Sequence, residues 1–153
     1  MEGFSLNAIE LKKYVKFQYP FLLIDCVTQV IPGKSAKGYK YFTSNEWFFP
    51  VHFPDEPNVP GALQFEAIGQ MLNVALNTLP DLARVTTKLV SFDVKCKREV
   101  LPGDKFDIET TIISWKRGIC KGTGIAYVNG EISCEANIIL TIPAIMEQFI
   151  PNK

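Results

Sequence analysis

Residues 48–79, FFPVHFPDEPNVPGALQFEAIGQMLNVALNTL, constrain the fold of this chain more than any other stretch. Pro57 and Pro60 stop any helix before them. Pro60-Gly61 can start one, because the first helical turn has no use for the N–H that proline lacks. Nothing then breaks the chain until Pro80, so the pattern predicts a helix over residues 62–77. Its apolar positions, from Ala62 and Leu63 through Ala75 and Leu76, go round most of the circumference, and such a helix must be buried on nearly all sides. A chain of 153 residues, 47% of them hydrophobic, is large enough to wrap one helix in one core, so a single domain over residues 1–153 is expected.

The wrapping material reads as strands. Residues 21–30 (FLLIDCVTQV) are bulky and β-branched and end at the turn signal Pro32-Gly33; residues 37–43 follow as a second strand. Val90, Phe92, Val94 and Cys96 alternate with Ser91, Asp93, Lys95 and Lys97, the period of a strand with one buried face. Phe106, Ile108, Thr110 and Ile112 alternate in the same way after the turn at 101–104. Lys116-Arg117-Gly118 reverses the chain into residues 119–128, and Asn129-Gly130 is a strong hairpin signal before residues 131–141. Residues 6–16 fit a short amphipathic helix, and the segment beyond Pro143 is expected to be a weakly determined end. One apolar helix among about five or six antiparallel strands gives an α+β fold in which helix and sheet share a core.

The polar residues of the central helix carry the functional information. Glu66, Gln70, Asn73 and Asn77 follow at i, i+4, i+7 and i+11, within an arc of roughly 60°. A solvated face would collect lysine, arginine and glutamate, whereas this stripe has one acid and three amides; a polar cavity wall or a seam against a second subunit fits it as well as solvent does. Gln64 falls on the opposite side. His52, the only histidine, stands among Phe48, Phe49, Pro50, Phe53 and Pro54, where a buried imidazole needs a partner. A carboxyl group in apolar surroundings keeps its proton to high pH and histidine titrates near neutrality, so His52 and Glu66 are a candidate acid/base pair. Gly61 is either a tight turn or a bare helix N-terminus whose amide can face a developing oxyanion.

Other classes find little support. Sixteen basic and sixteen acidic residues cancel, so no global field favours nucleic acid or a membrane surface. No stretch resembles a secretory signal or a membrane span, and a cytoplasmic location is expected. Cys26, Cys96, Cys120 and Cys134 are scattered and read as reduced thiols rather than zinc ligands.

HFPDEPNVPGALQFEAIGQ, with two phenylalanines just before it, resembles the signature of the FabZ-type 3-hydroxyacyl-[acyl-carrier-protein] dehydratases, roughly FFxGHFPxxPxxPGVLxxEAxxQ. YPFLLID at residues 19–25, FDVKCKREVLPGD at 92–104 and Asn129-Gly130 are also similar to that family, so the likeness spans roughly residues 14–140. The resemblance implies the hotdog fold, a long helix wrapped by a curled antiparallel sheet. It implies a homodimer, in the family often a trimer of dimers, with each active site shared between subunits. His52 would be the catalytic base, Glu66 of the partner chain the acid, and Gly61 and Gln70 would contact the substrate. No metal or other cofactor is implied, the acyl chain being carried on the phosphopantetheine of an acyl carrier protein. Carrier proteins are acidic, and Lys95, Lys97 and Arg98, or Lys116 and Arg117, are candidate docking residues.

Three departures mark a divergent member. Val51 replaces a glycine before the histidine, Asp55-Glu56 a pair that commonly contains glycine, and Phe17-Gln18 the usual His-Arg. Valine is poorly tolerated at positive φ, so an altered loop or a narrower pocket is expected, and with it an unusual acyl substrate. Two other readings use the same fold: an acyl-thioesterase whose helix carboxylate activates water, and a binding protein for acyl thioesters without turnover. His52 weighs against the first, and the presence of both His52 and Glu66 against the second.

Overall fold

The expected central helix forms over Gly61–Asn77, one residue earlier at its start than the pattern predicts. The computed structural model describes residues 2–152. Along the chain run β1 (Phe4–Asn7), α1 (Ala8–Leu11), β2 (Cys26–Ile31), β3 (Ser35–Tyr41), α2 (Gly61–Asn77), β4 (Lys88–Cys96), β5 (Lys105–Lys116), β6 (Ile119–Val128), β7 (Glu131–Thr141) and α3 (Pro143–Met146). The seven strands make one antiparallel sheet in the order β1-β2-β3-β5-β6-β7-β4, with α2 packed across β3, β5, β6 and β7.

Apolar contact between α2 and the sheet builds the core. Ile68, Met71, Leu72 and Leu76 of α2 are fully buried together with Phe106 and Ile108 of β5 and Ile138 of β7. Glycines on β6 let the helix come close: a Cβ on Gly122 would lie 2.5 Å from Leu72, and one on Gly124 would run into Ile68. Phe42 meets Phe48 and Phe106 edge-on, with ring centres 5.9 and 5.4 Å apart, tying the loop before α2 to β5. Both short hairpins use positive φ as their residues allow: Arg117-Gly118 at 52° and 80°, Asn129-Gly130 at 51° and 78°.

Four expectations need correction. The segment 6–16 is not one helix. Phe4–Asn7 pairs with β2 as a seventh strand, and Asn7 then caps a single helical turn by accepting from the Ile9 and Glu10 amides. The strand expected over 21–30 begins only at Cys26, because the backbone of Phe21 and Leu23 bonds to a side chain, that of Gln70, instead of to a neighbouring strand. β4 is not half-buried: Leu89, Val90 and Phe92 are 46%, 60% and 53% exposed. It is the last strand of the sheet, bonded to β7 on one side alone among the described residues, and the start of α2 covers it only in part, through Phe65 against Phe92. The segment after Pro143 also has structure, a one-turn helix with proline at its start and a 3-10 turn over Glu147–Phe149.

Candidate active site

Two segments bring the predicted residues into place: the loop at 48–60 and the first three turns of α2. In the loop, the His52 amide donates to the Phe48 carbonyl at 2.8 Å. Its ring Nδ1 lies 3.2 Å from the Asn58 carbonyl oxygen. A carbonyl can only accept, so Nδ1 carries a proton there, and Nε2, which has no partner among the described residues, is the nitrogen that can act as acceptor. The surroundings are less dry than the residue types suggest: Phe48 and Phe49 are buried, whereas Phe53, stacked obliquely on the imidazole at 4.6 Å, is 61% exposed. Val51 does not take positive φ, whereas Phe53 does, at 54°. The loop absorbs its tight turn two residues later, so valine at 51 carries no backbone strain and is simply exposed.

Gly61 opens α2 behind Pro60, which caps the helix without a side-chain bond. The Pro60 carbonyl takes the Leu63 and Gln64 amides at 2.9 and 3.0 Å, and the Gly61 and Ala62 amides have no partner among the described residues. Two N–H groups at the positive end of a helix are thus available to a ligand oxygen. Under Gly61 lies the Cys96 thiol, 3.1 Å from where a Cβ would be, which places the end of β4 beside the start of α2.

Glu66, one turn further on, is partly buried. Burial pushes its carboxyl above the ordinary value, and a hydrogen bond from Gln70 Nε2 at 3.1 Å works against that push. Gln70 is fully buried and uses both ends of its amide: Oε1 accepts from the Leu23 amide at 2.7 Å and Nε2 donates to the Phe21 carbonyl at 2.8 Å. The rest of the stripe also turns inward. Asn73 donates to the Gly69 carbonyl and accepts from Thr87 Oγ1 at 2.6 Å, while Asn77 donates to the Val85 carbonyl at 3.2 Å. Gln70, Asn73 and Asn77 therefore form a seam between α2 and other segments of the same chain, rather than a solvated face or a seam against a second subunit. Gln64, across the helix, is buried as well, with its Oε1 unpartnered among the described residues.

Along the same side of α2, Phe65, Glu66 and Gly69 face Leu89, Ile138 and Leu140 across a cavity of about 120 Å³. His52 does not line it, and no hydrogen bond joins His52 to Glu66 among the described residues. The basic candidates fall into two places. Lys97 bonds Glu135 at 3.2 Å and Arg98 bonds Glu131 at 2.7 Å, while Lys95 has no ion pair among the described residues. All three lie beside Cys96 at the α2 start. Lys116 and Arg117 precede Ile119, which pairs with Thr141, whereas Cys96 pairs with Cys134; seven residues of β7 put the two clusters roughly 23 Å apart. Among the described residues no group of His, Cys, Asp and Glu is arranged to hold a metal ion, and no helix is long and apolar enough to cross a membrane. All four cysteines are free, and burial pushes the Cys120 and Cys134 thiols up to about 11 and about 12.

Sequence reasoning missed the partners that are main-chain atoms, the Asn58 carbonyl and the Phe21–Leu23 backbone, since any residue type supplies those. It also passed over Gly69, although a glycine inside an apolar helix is a visible anomaly.

A long buried helix against an antiparallel sheet, with a histidine loop leading into its N-terminus, defines a hotdog fold. Solved structures agree. The dehydratase heterocomplex ApeI:P from Xenorhabdus doucetiae matches 93% of this chain and 97% of its own at a TM-score of 0.75 and 15% identity. A hypothetical thioesterase with coenzyme A from Streptococcus pneumoniae matches 73% and 80% at a TM-score of 0.59 and 11% identity. At such identities the likeness is one of fold. Sequence narrows it: this chain belongs to the FabA-like family, whose domain matches residues 17–137. The 3-hydroxyacyl-[acyl-carrier-protein] dehydratase FabZ of Bacillus licheniformis is 40% identical over 138 residues, covering 90% of this chain and 96% of that protein. The dehydratase of the same name from Clostridium beijerinckii is 41% identical over 140 residues, covering 90% and 99%.

Proposed function

We propose that this protein removes water from 3-hydroxyacyl thioesters carried on an acyl carrier protein, giving 2-enoyl thioesters in fatty-acid or related acyl-chain synthesis. The relatives' dehydratase names support the reaction class. The observation that carries the mechanism is the complementary state of two side chains. The Asn58 carbonyl engages His52 Nδ1 and leaves Nε2 without a partner among the described residues, and Glu66 sits where burial favours its protonated form.

His52 Nε2 takes the proton from C2 while the bare Gly61 amide receives the charge that develops on the thioester oxygen. Glu66 gives its proton to the C3 hydroxyl, which leaves as water as the C2–C3 double bond forms. The proton on His52 then returns through solvent to Glu66. No metal, nucleotide or flavin enters these steps.

The base and the acid come from opposite subunits of a homodimer. Three observations favour this: no bond joins them within one chain, the cavity beside Glu66 excludes His52, and the exposed apolar row on β4 lies along an unpaired sheet edge that a second chain would cover. An acidic carrier would dock at Lys95, Lys97 and Arg98, beside the α2 start, with Lys95, which has no ion pair among the described residues, meeting it first. Lys116 and Arg117 lie too far along the sheet to share that role.

The assay follows loss of water from 3-hydroxyacyl thioesters alongside release of free thiol. His52→Ala and Glu66→Gln are each expected to lose two to four orders of magnitude in turnover, about the usual share of general acid/base catalysis. Unfolding and refolding the two inactive variants together should restore about a quarter of wild-type activity, because random pairing leaves one intact site in half of the dimers. Near-normal turnover in either variant sinks the assignment, no recovery on mixing sinks the shared site, and thiol release in place of dehydration identifies a thioesterase.

A further inference from the structure

Gly69 stands in the middle of α2, where glycine is the least favourable ordinary residue. Other buried glycines here have a steric reason: a Cβ on Gly38 would strike the Cys26 carbonyl, and one on Gly124 the Ile68 side chain. At Gly69 an added Cβ meets no heavy atom within 4 Å. Alanine would fit and would strengthen the helix, so what glycine provides at this point is empty space.

That space is the cavity of about 120 Å³ beside Glu66, well beyond the roughly 10–15 Å³ that one water needs. Gly69 and Glu66 are three residues apart and face the same way, with Phe65, Leu89, Ile138 and Leu140 as apolar walls. The two remaining polar groups near it, Asn73 and Thr87, bond each other at 2.6 Å and make no demand on an occupant. An apolar cavity one helical turn from the proton donor suits the carbon chain attached to the atom that receives the proton.

We infer that Gly69 holds open the subsite for the substrate's acyl tail from C4 onward, and that the size of residue 69 sets how bulky a tail the enzyme accepts. This rests on the dehydratase reading, which places Glu66 at the C3 hydroxyl. Gly69 is thus a specificity-determining residue that takes no part in the proton transfers.

The test compares wild type, Gly69→Ala and Gly69→Leu on 3-hydroxybutyryl and 3-hydroxydecanoyl thioesters of the same carrier. The ratio of kcat/KM for the long tail over the short one should fall in the order glycine, alanine, leucine. Gly69→Leu should lower it about tenfold or more, as one extra group in an apolar pocket commonly does. Most of the change should lie in KM for the long substrate. Gly69→Ala should also melt at a higher temperature than wild type, which keeps the proposal open to refutation if the leucine variant does not fold. A ratio that does not change with residue 69, or an alanine variant that melts lower, overturns the inference. A wild-type protein that dehydrates neither substrate overturns the dehydratase reading beneath it.

Discussion

Replacing Gln70 tests the frame that holds the acid. The side chain is fully buried and bonds the Leu23 amide, the Phe21 carbonyl and the Glu66 carboxyl. In Gln70→Met, of similar volume, Leu23, only 2% exposed, is left with an unpaired buried N–H, a loss of about 1–3 kcal/mol. Phe21 is half exposed, so its carbonyl recovers a water and the lost bond there is worth about 0.5–1.5 kcal/mol. Together these give a loss of about 3 kcal/mol, which for a chain of this length lowers Tm by about 6–12 °C. Gln70→Ala should lose more, since it adds a void. Urea unfolding gives the energy, and hydrogen exchange at the Leu23 amide gives its location. The bond to Glu66 holds that carboxyl's pKa down, so removing it should also move the alkaline limb of the pH–rate profile to higher pH. A Gln70→Met variant within 0.5 kcal/mol of wild type, or a Leu23 amide that stays protected from exchange, would refute the reasoning.

Glu66→Gln should change stability in a way that depends on pH. Burial raises the carboxyl's pKa in the folded protein, so the folded state holds the proton more tightly than the unfolded chain. Any stability tied to that proton is complete below the unfolded value near 4.3 and is lost as pH rises through the folded value. The variant should match wild type at pH 4 and exceed it at pH 8 in chemical unfolding; a gap that does not vary with pH counts against a buried carboxyl. Val51→Gly should destabilise by about 0.5–1 kcal/mol, since Val51 has no positive φ to relieve and glycine adds unfolded-state freedom; a gain in stability would mean that the loop is strained there. Alkylation of the native protein should reach Cys96 first, with Cys134 at least about a hundredfold slower because burial holds its thiol protonated. Peptide mass mapping at short times decides this.

The central helix, the strand alternation of β5 and both glycine hairpins were legible because each rests on a local rule: periodicity, proline and glycine. β1 was not, because four residues that end in a capping asparagine carry no periodicity, and what makes them a strand is a partner some twenty residues away. Residues 21–25 misled for the opposite reason. Their composition is that of a strand, but a glutamine almost fifty residues on supplies the hydrogen bonds that a neighbouring strand would have made. β4 shows a third kind of limit: its alternation is real, and one face does carry Phe92 onto Phe65 with ring centres 4.4 Å apart, yet the described residues do not supply enough cover to bury that face. The candidate site residues were singled out by type, spacing and family resemblance, while the main-chain atoms that orient them could not be.

That division bears on how a shared active site could arise. The polar stripe fits a subunit seam as well as an internal one on sequence grounds, but its amides bond within the chain to Phe21, Leu23, Val85 and Thr87, with Asn77 Oδ1 the stripe's one buried amide atom left unpartnered among the described residues. Glu66 is thereby aimed by its own chain through Gln70, and His52 by its own loop through the Asn58 carbonyl. In the proposed dimer each half-site is thus oriented before assembly, and association has only to set the distance between them. Side chains already held in place lose little further rotamer freedom at the interface, so more of the apolar burial along β4 is left to hold the subunits together. Loosening Gln70 should then weaken catalysis through the angle of the acid before it weakens the dimer. Sedimentation of Gln70→Met at concentrations where turnover has already fallen separates the two.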